Sequence, residues 1–151
     1  MMTTYLLDTN YLIYLLDENA DKEKRKAVLQ EFANLLSSTE SKFVLTPLIR
    51  YEVLRGITFE ENEKFHRLMQ ALAEFQTLDI TNNVSDLAIE LYRFDEYSAR
   101  QAGQHKNLDK RKFDMFHYAT AKVNQLPILS KDGDITQIDT LYERLQEQKT
   151  S

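Results

Sequence analysis

The stretch Tyr5-Leu6-Leu7-Asp8-Thr9-Asn10-Tyr11-Leu12-Ile13-Tyr14-Leu15-Leu16 decides how the chain is read. An apolar run stops at an acid and two small polar residues, then resumes with apolar residues at 12, 13, 15 and 16. The run suits a buried strand and the later spacing suits a helix. Asp8 then stands at the carboxyl end of a first strand. Taken alone it reads as a helix N-cap. In open α/β sheets, however, chemistry gathers in the crevice outside those strand ends, so other acids in matching places carry weight.

Working outward, Phe43-Val44-Leu45-Thr46, Thr77-Leu78-Asp79-Ile80 and Pro127-Ile128-Leu129-Ser130 read as further strands. Residues 22–38 place Val28, Phe32, Leu35 and Leu36 at helical spacing. Thr46-Pro47 is a helix start, a capping hydroxyl followed by proline, and Gly56 ends that helix. Helices are also predicted over 60–75, from a cap at Thr81 or Asn82, from Phe113 to Asn124 and from Ile138 to Gln146. The span 98–112 reads as helix end plus loop, and Lys131-Asp132-Gly133-Asp134 as a turn. Strands alternating with helices imply a parallel sheet covered on both faces. The predicted class is α/β, a three-layer α/β/α arrangement around a parallel sheet of four to five strands. No linker or repeat interrupts it, so a single domain over 1–147 is expected, with a frayed tail at 148–151.

Composition narrows the chemistry. The 151 residues are 42% hydrophobic and 28% charged, ordinary for a soluble globular protein. There is no cysteine, which excludes disulfides, thiolate zinc sites and a cysteine nucleophile, and suits a cytoplasmic location. No signal peptide or membrane span is visible. Gly56, Gly103 and Gly133 are too far apart for a dinucleotide fingerprint, a P-loop or a nucleophile elbow. His66, His105 and His117 show no metal-ligand spacing and read as surface or half-buried residues.

The net charge of −5 argues against a nucleic-acid partner at first sight. Its distribution is uneven. Arg100, Lys106, Lys110, Arg111 and Lys112 face only Asp109 within one segment, and Lys22 to Lys26 forms a second basic knot. Each reads either as a solvated face or as a phosphate contact. Two divalent cations bound by acids would bring the balance close to neutral.

Four acids sit in suggestive places, and each has an ordinary explanation. Asp8 ends strand one. Glu52 interrupts the apolar Leu48–Leu54 segment and could pair on the surface with Arg55 or Arg50. Asp114 occupies a helix first turn, where the helix dipole favours it. Asp132 follows the last strand and is an unremarkable turn residue beside Gly133. Together they form an oxygen-only donor set that suits Mg²⁺ or Mn²⁺. Packed without a cation, such acids would repel one another. A divalent ion held this way activates water and stabilises charge on a displaced phosphoryl group.

Leu7-Asp8-Thr9-Asn10, Thr46-Pro47-Leu48-Ile49-Arg50-Tyr51-Glu52, Phe113-Asp114-Met115-Phe116-His117-Tyr118-Ala119 and Ile128-Leu129-Ser130-Lys131-Asp132-Gly133-Asp134 resemble, in order, the four motifs of the PIN domain family. The likeness is to the VapC-like ribonuclease toxins of type II toxin–antitoxin systems. It implies a metal-dependent endoribonuclease. Asp8, Glu52, Asp114 and Asp132 would bind Mg²⁺ or Mn²⁺, with Asn10, Ser130 and Asp134 as auxiliary groups. It further implies an RNA substrate, an antitoxin partner and a homodimer. Phe116, His117 and Tyr118 are bulkier than the residues usual there, and the basic segment before them is long. Two other readings stay open. One is a haloacid-dehalogenase-like phosphatase, from Asp8 and from Gly133-Asp134 followed by Asp139, although Asn10 replaces its second Asp. The other is a PIN-like scaffold that binds RNA or protein without cutting.

Overall fold

Strand β1 (Thr3–Leu7) passes into helix α1 (Thr9–Leu16) in the computed structural model, as the opening stretch predicts. The structure describes residues 2–38, 40–104, 108–131 and 133–150. They fall into two compact units, Met1–Asp79 with Leu126–Lys131, and Ile80–Gln125 with Asp132–Ser151.

The first unit holds the sheet. After α1 come α2 (Lys22–Leu36), β2 (Ser41–Leu45), α3 (Pro47–Arg55), α4 (Asn62–Ala73) and β3 (Gln76–Thr77); β4 (Ile128–Leu129) returns later. The strands are all parallel in the order β3-β2-β1-β4. The α/β class therefore stands, with four strands. Leu6, Leu7 and Leu45 are fully buried, which reflects strands covered on both faces. Each such side chain contributes about 2 kcal/mol of burial. Tyr5 stacks on Phe43 at 5.7 Å, and Phe32 of α2 lies 4.6 Å from the same ring. Leu36 ends α2 exposed, outside the face the spacing assigned to it. Thr46 caps α3, its hydroxyl accepting from the Ile49 amide at 3.2 Å, and Pro47 takes the first helical position. β3 is shorter than predicted; just past it the Leu78 amide still reaches the sheet, donating to the Leu45 carbonyl at 2.8 Å.

The second unit is helical: α5 (Asn82–Gln101), a 3₁₀ turn (Leu108–Arg111), α6 (Lys112–Val123) and α7 (Gly133–Thr150). Thr81 caps α5 by accepting from the Val84 amide. Val84, Ala88 and Ala119 form a buried cluster with Ile80, Leu87 and Phe116 around it. Two differences concern α7. It begins five residues earlier than predicted, because Ile135 joins Ile138, Leu141 and Leu145 on one buried face. It also continues to Thr150, so the expected frayed tail is helical over 148–150. Among the described residues no helix is long and apolar enough to cross a membrane.

Candidate metal centre

Strand order places a topological switch beside β1. The chain runs from β1 to β2 on one side, while β4 lies on the other. Such a switch opens a crevice at the carboxyl ends of the strands. Asp8 stands at the end of β1 and Ser130 directly after β4.

Asp8 is 1% exposed. It caps α1, as its ordinary explanation has it, with Oδ1 accepting from the Thr9 amide at 2.8 Å. The cap accounts for one oxygen only. Oδ2 accepts from the Ser130 hydroxyl at 2.8 Å, across the β1–β4 pairing. Asn10 secures the same loop: its Oδ1 accepts from the Lys131 amide at 3.1 Å and lies 3.4 Å from the Ser130 hydroxyl. Asn10 and Ser130 thus hold the two strand ends together.

Glu52 lies on α3 with its side chain 11% exposed, so it is not the surface acid of its ordinary reading. Its Oε2 does approach Arg55, at 3.7 Å. Its Oε1 accepts from the Thr9 hydroxyl at 2.9 Å. Thr9 therefore serves both acids, by its amide to Asp8 and its hydroxyl to Glu52. Sequence reasoning passed over Thr9, although its place between Asp8 and Asn10 was the available signal.

In the second unit, Asp114 sits half-buried in the first turn of α6. One helical turn on, His117 is 1% exposed, which corrects its reading as a surface or half-buried residue. A carboxylate oxygen of Asp114 and a ring nitrogen of His117 lie within 4.8 Å of each other. Spacing of i, i+3 sets both on one helix face. The start of α6 is fixed by Arg111, which pairs with buried Asp95 of α5 at 3.5 Å and donates to the Gln137 side chain of α7.

The bulky neighbours have structural roles. Phe116 packs against the Val84–Ala88–Ala119 cluster. The Tyr118 hydroxyl donates to Asp139 at 2.6 Å, and its ring meets Tyr142 at 5.9 Å. The basic segment is partly committed: Arg100 pairs with Glu96 and Arg111 with Asp95. Those two guanidinium groups are therefore engaged by acids. Asp134 lies in the first turn of α7. Asp132 and Lys106 lie outside the described residues.

The donor chemistry fits a hard divalent cation. In the first unit Asp8 and Glu52 offer carboxylate oxygens, which suit Mg²⁺ and Mn²⁺; in the second, Asp114 offers one more and His117 a ring nitrogen. A PIN domain family model matches residues 5–141, running from β1 into α7. The chain belongs to the PIN domain family. The three-layer α/β/α class expected above is that of this PIN domain. Solved structures agree on the fold. FitAcB from Neisseria gonorrhoeae is similar at 19% identity and TM-score 0.65, over 89% of this chain and 93% of that one. A toxin–antitoxin complex from Klebsiella pneumoniae aligns at 19% identity and TM-score 0.53, over 85% and 87%. VapC20 of Mycobacterium tuberculosis, described as a sarcin–ricin loop cleaving toxin, aligns at 14% identity and TM-score 0.55, over 88% and 93%. No functionally curated protein matches the sequence.

Proposed function

We propose that this PIN domain is a metal-dependent endoribonuclease, the toxin of a toxin–antitoxin pair, in which Asp8, Glu52, Asp114 and Asp132 hold Mg²⁺ or Mn²⁺. The observation that carries the reading is Asp8, a carboxylate 1% exposed at the strand-end crevice and tied through Thr9 to Glu52. Two largely buried acids that meet at one threonine, although 43 residues separate Thr9 from Glu52, make chemical sense as ligands, because a cation would offset the charge that burial concentrates there.

A divalent cation held by these carboxylates would supply an activated water and stabilise the charge developing on the phosphoryl group. The chain supplies orientation. Ser130 and the Thr9 amide fix the plane of the Asp8 carboxylate, and the Thr9 hydroxyl fixes one oxygen of Glu52. No serine or cysteine nucleophile is needed, in keeping with a chain that lacks cysteine. RNA as substrate and an antitoxin as partner are supported by the described roles of the structural neighbours, one a sarcin–ricin loop cleaving toxin and another a toxin–antitoxin complex. A homodimer and a cytoplasmic location belong to the same proposal, as does a single functional domain spanning both units. The phosphatase alternative loses its footing: the family model is PIN, and Asp139 accepts from Tyr118.

The test is cleavage of a structured RNA with Mg²⁺ or Mn²⁺, with and without EDTA. Cleavage is expected only with metal, and full activity in EDTA would reject the mechanism. Asp114→Asn is expected to keep native circular dichroism and lose at least about a hundredfold in rate, the scale of disturbing a metal site. RNA that binds and stays whole would instead favour a non-catalytic scaffold.

A further inference from the structure

His117, like the other two histidines, was given no role from the sequence. It is 1% exposed, on a face of α6 that also carries an acid. The neighbour that the fold supplies is Asp114, three residues earlier on α6, with donor atoms within 4.8 Å. Two ligands of one ion, each about 2.1 Å from it, stand about 3–4 Å apart. The pair is therefore within a small side-chain rotation of sharing a cation. Carboxylate and histidine at i, i+3 on one helix is also the arrangement by which helix bundles hold di-metal centres. The flanking side chains are committed elsewhere: Phe116 to the α5 contact and Tyr118 to Asp139.

We propose that His117 is a metal ligand alongside Asp114, and that it shifts the preference of this site from Mg²⁺ toward borderline ions such as Co²⁺ and Zn²⁺. Carboxylates alone suit Mg²⁺, whereas imidazole binds it poorly and favours the later first-row ions. The inference rests on the proposed function only in placing a cation at Asp114.

Binding is measured directly on the full chain, by calorimetry for Mg²⁺ and by visible absorption for Co²⁺. His117→Gln is expected to weaken Co²⁺ about 10–100-fold and to leave Mg²⁺ nearly unchanged. Equal weakening of both ions, or no change in either, would overturn the proposal. A second measurement does not depend on that variant folding. In ¹⁵N-histidine spectra of the wild type, added Zn²⁺ should move the ring nitrogens of His117, assigned by elimination with His66→Gln and His105→Gln. An unmoved His117 signal would overturn the proposal equally. Failure here is distinct from failure of the enzymatic reading. RNA cleaved in Mg²⁺ with His117 unmoved rejects the ligand alone, and His117 shifted with RNA intact rejects the nuclease alone.

Discussion

The two units hold their candidate acids by different means. In the first, Asp8 and Glu52 are oriented by hydroxyls and an amide, from Thr9 and Ser130, with Arg55 at the edge. In the second, Asp114 sits on a helix whose first turn is anchored by a buried ion pair, Arg111 with Asp95. Neutral donors orient a carboxylate while leaving its charge available to a cation. A charged clamp fixes backbone instead, one residue before α6 begins. The contrast predicts different responses to mutation: side-chain chemistry should suffer in the first unit and folding in the second.

The largest effect is expected at the clamp. Arg111→Met leaves the Asp95 carboxylate, 4% exposed, without its guanidinium. Breaking one side of a buried pair costs about 3–5 kcal/mol, measured as a shift in urea midpoint. The double variant Asp95→Leu with Arg111→Met should recover most of that loss, because the buried acid is removed together with its guanidinium. A double variant no better than the single one would show that Arg111 acts through packing or through Gln137 and not through charge.

Ser130→Ala should sharpen the other side of the contrast. It removes the hydroxyl that donates to Asp8, and loss of such a supporting group costs about 10–100-fold in metal affinity or activity. Its urea midpoint should move little, since one hydrogen bond contributes about 1 kcal/mol. A large stability loss with unaltered Mn²⁺ binding would reverse the assignment of roles.

A smaller comparison is between two buried tyrosines. Tyr11 in the first unit and Tyr118 in the second both have their hydroxyl pKa pushed well above the usual value, by burial first and then by Glu31 and Asp139 respectively. A raised folded pKa contributes stability that is present below the unfolded value of about 10 and is lost as pH rises above it. Tyr118→Phe gives up the Asp139 hydrogen bond, about 1 kcal/mol at neutral pH, and should make the alkaline decline shallower. An unchanged slope above pH 10 would mean that Tyr118 does not govern it.

What could be read from sequence follows the strength of local signals. Asp8, Thr46 and Thr81 are all N-caps in the structure because each precedes a clear helical phase. The start of α7 was missed because Gly133-Asp134 carries strong turn chemistry, while the phase of Ile135 is visible only with Ile138, Leu141 and Leu145. Among the candidate acids, Asp8 stood out at the end of the first strand and Glu52 as an acid within the apolar Leu48–Leu54 segment. Their shared contact through Thr9 was not legible, since nothing local links residue 9 to residue 52. His117 was overlooked for a different reason: histidines were compared with one another, whereas its relevant neighbour is an aspartate one turn away.

The smallest expected effect again sets two places side by side, here the ends of α5 and α6. After α5 the chain turns through Gly103 at φ 68°, a conformation that glycine adopts freely. After α6 it turns through Gln125 at φ 56°, where a side chain costs about 1–2 kcal/mol. Gln125→Gly should relieve that strain, at the expense of greater chain entropy in the unfolded state. Strain is the larger of the two, so a net gain of about 0.5–1 kcal/mol is expected, read as a higher Tm with metal binding unaltered. A lower Tm would mean that Gln125 makes contacts worth more than its backbone strain, and that the two helix ends differ for a reason beyond glycine content.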